Sequence, residues 1–159
     1  MSQSPVSSYF VGSLITSLIG GILLLATDFA GSADVNYYAG TRTNTYVYAT
    51  ANPFSFLVFG LVALGLFYCS YISFLGLQQP ENPPSQKMLH WGFLASGMVF
   101  LISMLGGIIF IASESGADDW WLDTAFYAGA LGGLLTALLL YLVIKEMFGL
   151  SLQELLKLP

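Results

Sequence analysis

The chain has 159 residues, of which 56% are hydrophobic and only 8% are charged, with a formal net charge of −5. Soluble domains carry about 25% charged residues. With a mean hydropathy of +0.75, this composition therefore excludes an ordinary water-soluble domain and indicates that lipid is the solvent. The sequence contains no basic patch, zinc motif or phosphate-binding loop, which argues against partners such as nucleic acids or nucleotides.

Four apolar runs, each about 20 residues or longer, predict four transmembrane helices. None contains a charged residue except Asp123, in the first turn of the last run. Without water in the membrane core, each run has to be helical to satisfy its backbone groups. The first run is expected to be retained and not cleaved as a signal peptide, because no Lys or Arg precedes it. The predicted spans are residues 9–27, 54–77, 89–112 and 122–144.

Small residues at four-residue spacing are the densest pattern in these spans. This spacing places them on one helix face, where the lack of bulk lets two helices approach closely in lipid. The sequence leaves open whether every such face packs inside the chain's own bundle or whether one docks another protein. The residues predicted to pack helices are Gly12, Thr16, Gly20, Gly65, Gly129 and Gly133.

The loop between the first two spans, residues 28–53, predicts a short β-hairpin. Residues 43–50 are rich in β-forming types, residues 35–38 precede them, and residues 39–42 are the candidate turn. The loop also concentrates four tyrosines, which suit a protein interface or the aromatic belt at the lipid headgroups. They are Tyr37, Tyr38, Tyr46 and Tyr48.

The two other connections are short. Residues 78–88 contain three prolines, which stop the second span and keep it separate from the third. Residues 113–121 form the second outer loop, in which Asp118 or Asp119 is predicted to cap the fourth span.

The tail, residues 145–159, predicts a short interfacial helix. Gly149 is expected to end the fourth span, because glycine commonly terminates helices. Ser151 and Glu154 then have the spacing of a capping box that begins a new helix. The leucines that follow suit the membrane interface or the end of the bundle.

The distribution of lysines predicts that both termini are cytoplasmic, as expected for a protein of the plasma or cytoplasmic membrane. Lys87, Lys145 and Lys157 flank the spans on one side, and Arg42 is alone on the other. No EF-hand spacing connects the acidic residues of the outer side, so we expect solvated or capping carboxylates and no metal site. These acids are Asp28, Asp34, Glu114, Asp118, Asp119 and Asp123.

Catalytic chemistry is not expected. Cys69 and His90 are each the only residue of their type, so one chain can form no disulfide and cannot supply two histidines to a haem. A haem or lipid shared with a partner at His90 stays open. No ionisable group lies deep in a span, and no base is placed to activate a nucleophile. The sequence therefore predicts neither an enzyme nor a bound cofactor.

The predicted layout is similar to that of four-span junction and vesicle proteins of the claudin and MARVEL kind. The shared features are inner termini, a larger first outer loop with β character and a short second outer loop. The similarity covers topology alone. The first outer loop has neither Trp nor Cys, so the tryptophan and paired cysteines of claudins are missing and no residue roles carry over.

The sequence thus favours a single-domain, all-α integral membrane protein: a four-helix transmembrane bundle with a hairpin-like outer loop and a short C-terminal interfacial helix. Its predicted role is a non-catalytic subunit or scaffold, surrounded by lipid, that packs laterally with other membrane proteins or with itself and presents an acidic, tyrosine-rich outer loop. The alternative is a small oligomeric channel or transporter with its pathway between protomers. The polar residues available to line that pathway are Ser13, Thr16, Ser17, Ser96 and Ser103.

Overall fold

The computed structural model of the protein describes residues 5–49 and 53–156, which are mostly helical. Four of the helices are long and apolar enough to cross a membrane, which fits a multi-pass membrane protein. In chain order the described elements are α1 (Pro5–Ala26), β1 (Asp28–Asn36), β2 (Thr41–Tyr48), α2 (Pro53–Gln78), α3 (Gln86–Ser113), β3 (Asp119–Leu122), α4 (Thr124–Phe148) and α5 (Leu152–Leu155).

The four predicted helices are confirmed, with their ends moved by a few residues. The described parts of α1 and α2 start at Pro5 and Pro53, and proline is well suited to the first turn of a helix, where no N–H donor is needed. α4 continues through Lys145 and Glu146. Apolarity marks where a helix can lie in lipid, whereas the hydrogen-bonded helix itself extends beyond that stretch.

Side-chain caps fix the helix ends. Ser85 accepts a hydrogen bond from the Met88 N–H at the start of α3. At the start of α4 the cap is Asp123, which accepts from the Thr124 N–H at 2.6 Å. The prediction that Asp118 or Asp119 caps this helix is therefore wrong. Gly149 ends α4 with a φ of 68°, a left-handed conformation that glycine adopts without a Cβ penalty.

The four long helices form a ring in sequence order. α1 packs between α2 and α4, and α3 packs against α2 and α4 from the opposite side. Two buried apolar clusters fill the ring. One cluster, which includes Leu24, Phe59 and Phe126, lies beneath the strands. This end of the bundle is the sheet end. The other, which includes Phe10 and Leu140, lies at the opposite end.

A layer of hydroxyl groups lies between the two clusters. Ser73 donates to Ser13 at 2.9 Å, and the hydroxyls of Ser17 and Ser70 are 2.8 Å apart, so both pairs connect α1 with α2. The hydroxyls of Thr16 and Thr136, 2.9 Å apart, connect α1 with α4. Polar contacts of this kind hold helices together where lipid removes the hydrophobic driving force.

All six residues predicted to pack helices lie against another helix of the same chain. Gly12 faces Leu139 of α4, Thr16 bonds to α4, and Gly20 faces the backbone of Gly132 in α4. Gly65 faces Ala95 of α3, and both Gly129 and Gly133 face α3. A partner protein would consequently have to use a surface other than these faces.

The tail folds back onto the bundle. Ser151 and Glu154 form the predicted capping box of α5. Leu155 is fully buried, and its carbonyl lies 2.7 Å from Nε2 of His90, which is itself 5% exposed. His90 is therefore engaged within the chain at the opposite end of the bundle, where it holds the α5 turn in place. The predicted helix residues beyond Leu156 lie outside the described residues.

Candidate functional site: a three-stranded sheet with a free edge

The predicted hairpin is present, but its turn lies two residues earlier than expected. The Asn36 side chain accepts hydrogen bonds from the N–H groups of Tyr38 and Ala39, both at 3.1 Å. Gly40 completes the turn with a φ of 62°. An Asn side chain that bonds to the next backbone N–H groups is a strong local turn signal. This signal overrides the turn predicted at residues 39–42. Thr41 and Arg42 of that range belong to β2 instead.

A third strand, β3, was not predicted. It pairs antiparallel with β1 on the side opposite β2, which gives the strand order β2-β1-β3. Gly31 makes room for it, because a Cβ at this position would overlap the indole ring of Trp121. The ring of Tyr46 meets that indole edge-on, with 5.8 Å between centroids. The two consecutive tryptophans are β-forming residues and were the available signal for this strand.

Charged side chains join the three strands across one face. Arg42 of β2 reaches over β1 to Asp119 of β3, with 3.1 Å between nitrogen and oxygen, and it also donates to Asn44 at 3.0 Å. Both partners of this ion pair are about half exposed, so its stabilisation is small, about 0.2–1 kcal/mol. Asp119, and Asp118 beside it, therefore bind groups of the sheet. Among the described residues, no three His, Cys, Asp or Glu residues form a metal-binding group.

Among residues 5–49 and 53–156, no strand pairs with the outer edge of β2, and the direction of that edge follows from β1. The Val35 N–H donates to the Asp118 carboxylate at 2.6 Å, so it points toward β3 and away from β2. In antiparallel sheets, successive residues direct their N–H and C=O groups to alternate sides. Val35, Ala33 and Gly31 of β1 therefore direct their backbone groups toward β3. Their partners in β2 direct their own backbone groups away from β1. These residues are Arg42, Asn44 and Tyr46.

The four predicted interface tyrosines do not form one surface. Tyr37 and Tyr38 lie at the turn, 79% and 105% exposed. Tyr46 covers Gly31 beside Trp121. Tyr48, at the end of β2, lines a cleft between α2 and α3.

The polar residues named for a pathway between protomers face the interior of this chain. Ser13, Ser17, Ser96 and Ser103 are fully buried, and Thr16 bonds to Thr136. Among the described residues, the buried side-chain atoms without a hydrogen-bond partner are Oγ of Ser103 and Oδ1 of Asp28. Of the two outer strands of the sheet, β2, with eight residues, is longer than β3, with four.

Comparison of the chain with protein-family models, with curated proteins and with solved structures gives no match.

Proposed function

We propose that this chain is a non-catalytic, multi-pass membrane protein that acts as a subunit or scaffold and assembles laterally with a second copy of itself through the edge of β2. The observation that carries the proposal is an eight-residue strand whose outer edge offers the backbone groups of Arg42, Asn44 and Tyr46. Exposed edges pair readily with other strands, and natural proteins protect them with Lys, Pro or bulges. β2 contains no Lys or Pro, and its pairing with β1 is regular from Thr41 to Val47. Its one charged residue, Arg42, is turned away from the free edge and pairs with Asp119 of β3.

The sequence of β2 is compatible with antiparallel pairing to itself. With Asn44 placed opposite Asn44 of the second copy, Arg42 lies opposite Tyr46 of the second copy. The two copies of Arg42 would be about 13 Å apart along the strand at the rise of an extended chain. That exceeds a Debye length of about 8 Å at physiological salt, so the like charges would not oppose the pairing.

In the proposed arrangement the sheet lies on the outer side of the plasma or cytoplasmic membrane, with both termini inside. Lys87 and Lys145 lie at the bundle end opposite the sheet, which supports this orientation through the positive-inside tendency. In a Cys69→Ser background, an impermeant thiol reagent added to intact cells should label Tyr38→Cys and leave Glu81→Cys unlabelled until the membrane is opened. Labelling of both from outside would contradict the topology.

The strand-edge proposal is tested on the full-length protein in lipid nanodiscs, by native mass measurement. Asn44→Pro should lower the dimer fraction about tenfold, because the removed N–H points to the free edge and not to β1. The melting temperature should stay close to that of the wild type, since proline is tolerated on the open side of an edge strand.

Thr43→Ala is the matched control for Asn44→Pro, because it leaves the backbone donors unchanged and should remain dimeric. Under mild oxidation, Asn44→Cys in the Cys69→Ser background should form an intermolecular disulfide, and Thr43→Cys should do so much more slowly. A single protomer in nanodiscs, or a dimer unaffected by Asn44→Pro, would refute assembly through β2.

A further inference from the structure

The interface between α2 and α3 opens at the sheet end into a cleft of about 450 Å³. This volume lies within the range of about 300–1,000 Å³ that is usual for small-molecule sites. The rings of Phe29 and Phe59, with centroids 5.0 Å apart, form part of its wall. Gly106 leaves the space open, because a Cβ there would lie 3.1 Å from each of these rings.

The polar residues that line the cleft lie at its sheet end, among apolar ones. Tyr48 ends β2, Ser55 lies in the first turn of α2, and Ser113 ends α3, so the polar residues lie at the sheet end. The deeper part is lined by aliphatic and aromatic side chains, among them Val58 and Ile102, and none of the described residues that line the cleft is charged. This distribution of polar residues complements an amphiphile whose polar group faces the sheet.

The depth of the cleft corresponds to one leaflet. Along α3 it extends from Ser113 to Ile102, which is about 17 Å at the rise of an α-helix. Half of a hydrocarbon core is about 15 Å. A further opening of about 340 Å³ shares Val58 and Ile102 and continues along the same interface to Gly65, so a flexible chain can extend past the middle of the bundle.

We propose that this cleft holds one acyl chain of a glycerolipid of the outer leaflet, with an ester carbonyl of the lipid accepting a hydrogen bond from the Tyr48 hydroxyl. A partner helix fits less well. With its side chains a helix is about 10 Å wide, and Val47, Tyr48 and Ala49 line the cleft at its sheet end. The proposal depends on insertion in a membrane and is independent of pairing between β2 strands.

The test uses the full-length protein in phosphatidylcholine nanodiscs doped with a phosphatidylcholine that carries a diazirine in its acyl chain. After illumination, peptide mass spectrometry locates the labelled residues. Labelling of α2 and α3 along the cleft should exceed labelling of exposed leucines of α4, such as Leu134 and Leu138, by about tenfold, the ratio that corresponds to about 1.4 kcal/mol of preferential binding.

Substitutions on the exposed rim of the cleft give matched controls. Ile109 is 67% exposed and lines the cleft, whereas Ile108 is 58% exposed and does not. Ile109→Trp should fill the cleft and abolish the excess labelling, and Ile108→Trp should retain it. Leu105→Trp, with Leu101→Trp as its control, repeats the comparison one turn earlier and keeps the test valid if Ile109→Trp does not fold.

Three results would overturn the proposal. Equal labelling of the cleft and of α4 would mean that bulk lipid alone touches this surface. Unchanged labelling in both Ile109→Trp and Leu105→Trp would place the bound chain elsewhere. Loss of the phospholipid label on adding a small mole fraction of cholesterol would assign the cleft to a sterol instead.

Discussion

The interface of α4 with α3 and the interface of α2 with α3 are built differently. At Gly133 of α4, an added Cβ would lie 2.7 Å from the Phe100 nitrogen and 2.8 Å from the Ser96 oxygen, so the two backbones touch. At Gly65 of α2, the nearest atom to an added Cβ is Cβ of Ala95, at 3.5 Å. In lipid the apolar side chains themselves do not drive helices together. The distance between two helices therefore depends on whether a glycine faces the backbone of its neighbour, as Gly133 does, or a side chain, as Gly65 does.

Hydrogen bonds between the helices are also unevenly distributed. Hydroxyl pairs join α1 with α2 and with α4 near the middle of the bundle. Among the described residues, the hydrogen bonds between α2 and α3 lie toward the end opposite the sheet, where Cys69 donates to the Gly92 carbonyl at 3.2 Å and Tyr68 donates to the Met88 carbonyl at 3.3 Å. The α2–α3 interface is therefore fastened at one end and open at the sheet end. This asymmetry places the cleft at the sheet end of the α2–α3 interface.

Replacing glycine with alanine should change the free energy of unfolding far more at the α3–α4 interface than at the α2–α3 interface. Gly133→Ala should lower the free energy of unfolding by about 2–3 kcal/mol, because the backbones of α3 and α4 have to separate to admit the methyl group. Gly65→Ala should change it by less than about 0.5 kcal/mol, because the methyl group meets only ordinary van der Waals contact. Unfolding by sodium dodecyl sulfate in mixed micelles measures both.

Similar losses for the two variants would contradict the division between a closed and an open interface. A useful further control is Gly97→Ala, since nothing lies within 4 Å of an added Cβ at that position. It should behave as Gly65→Ala does. If Gly97→Ala proved as damaging as Gly133→Ala, the effect would belong to glycine in a helix in general and not to backbone contact.

The sequence was sufficient for the helices and the hairpin because apolarity and β-forming residues act locally. It was sufficient for the residue types at helix contacts but not for their partners: Ser13 and Gly12 are neighbours, yet Ser13 bonds to α2 and Gly12 faces α4. β3 and the ion pair of Arg42 depend on two segments more than seventy residues apart in the chain, and nothing local encodes that pairing. The free edge of β2 could be identified only once β3 was known to occupy the other side of β1.

The smallest expected effect concerns the hydroxyl layer. Ser73 donates to Ser13 at 2.9 Å across the α1–α2 interface. Replacing each with alanine, singly and together, gives a double-mutant cycle for the free energy of unfolding. Its coupling term should be about 0.6 kcal/mol and not above about 1.7 kcal/mol, because serines in the unfolded chain also find partners within the membrane.

The matched cycle combines Ser73→Ala with Thr136→Ala, whose hydroxyl bonds to Thr16 on another side of α1. Residues without a shared contact should be additive, so its coupling term should be close to zero. Equal coupling in both cycles would mean that the layer acts as one connected unit and not as separate pairs. Coupling near zero in the first cycle would leave the small residues as the main determinant of the closed interfaces. In that case only the missing bulk at contacts such as Gly133 would distinguish them from the α2–α3 cleft.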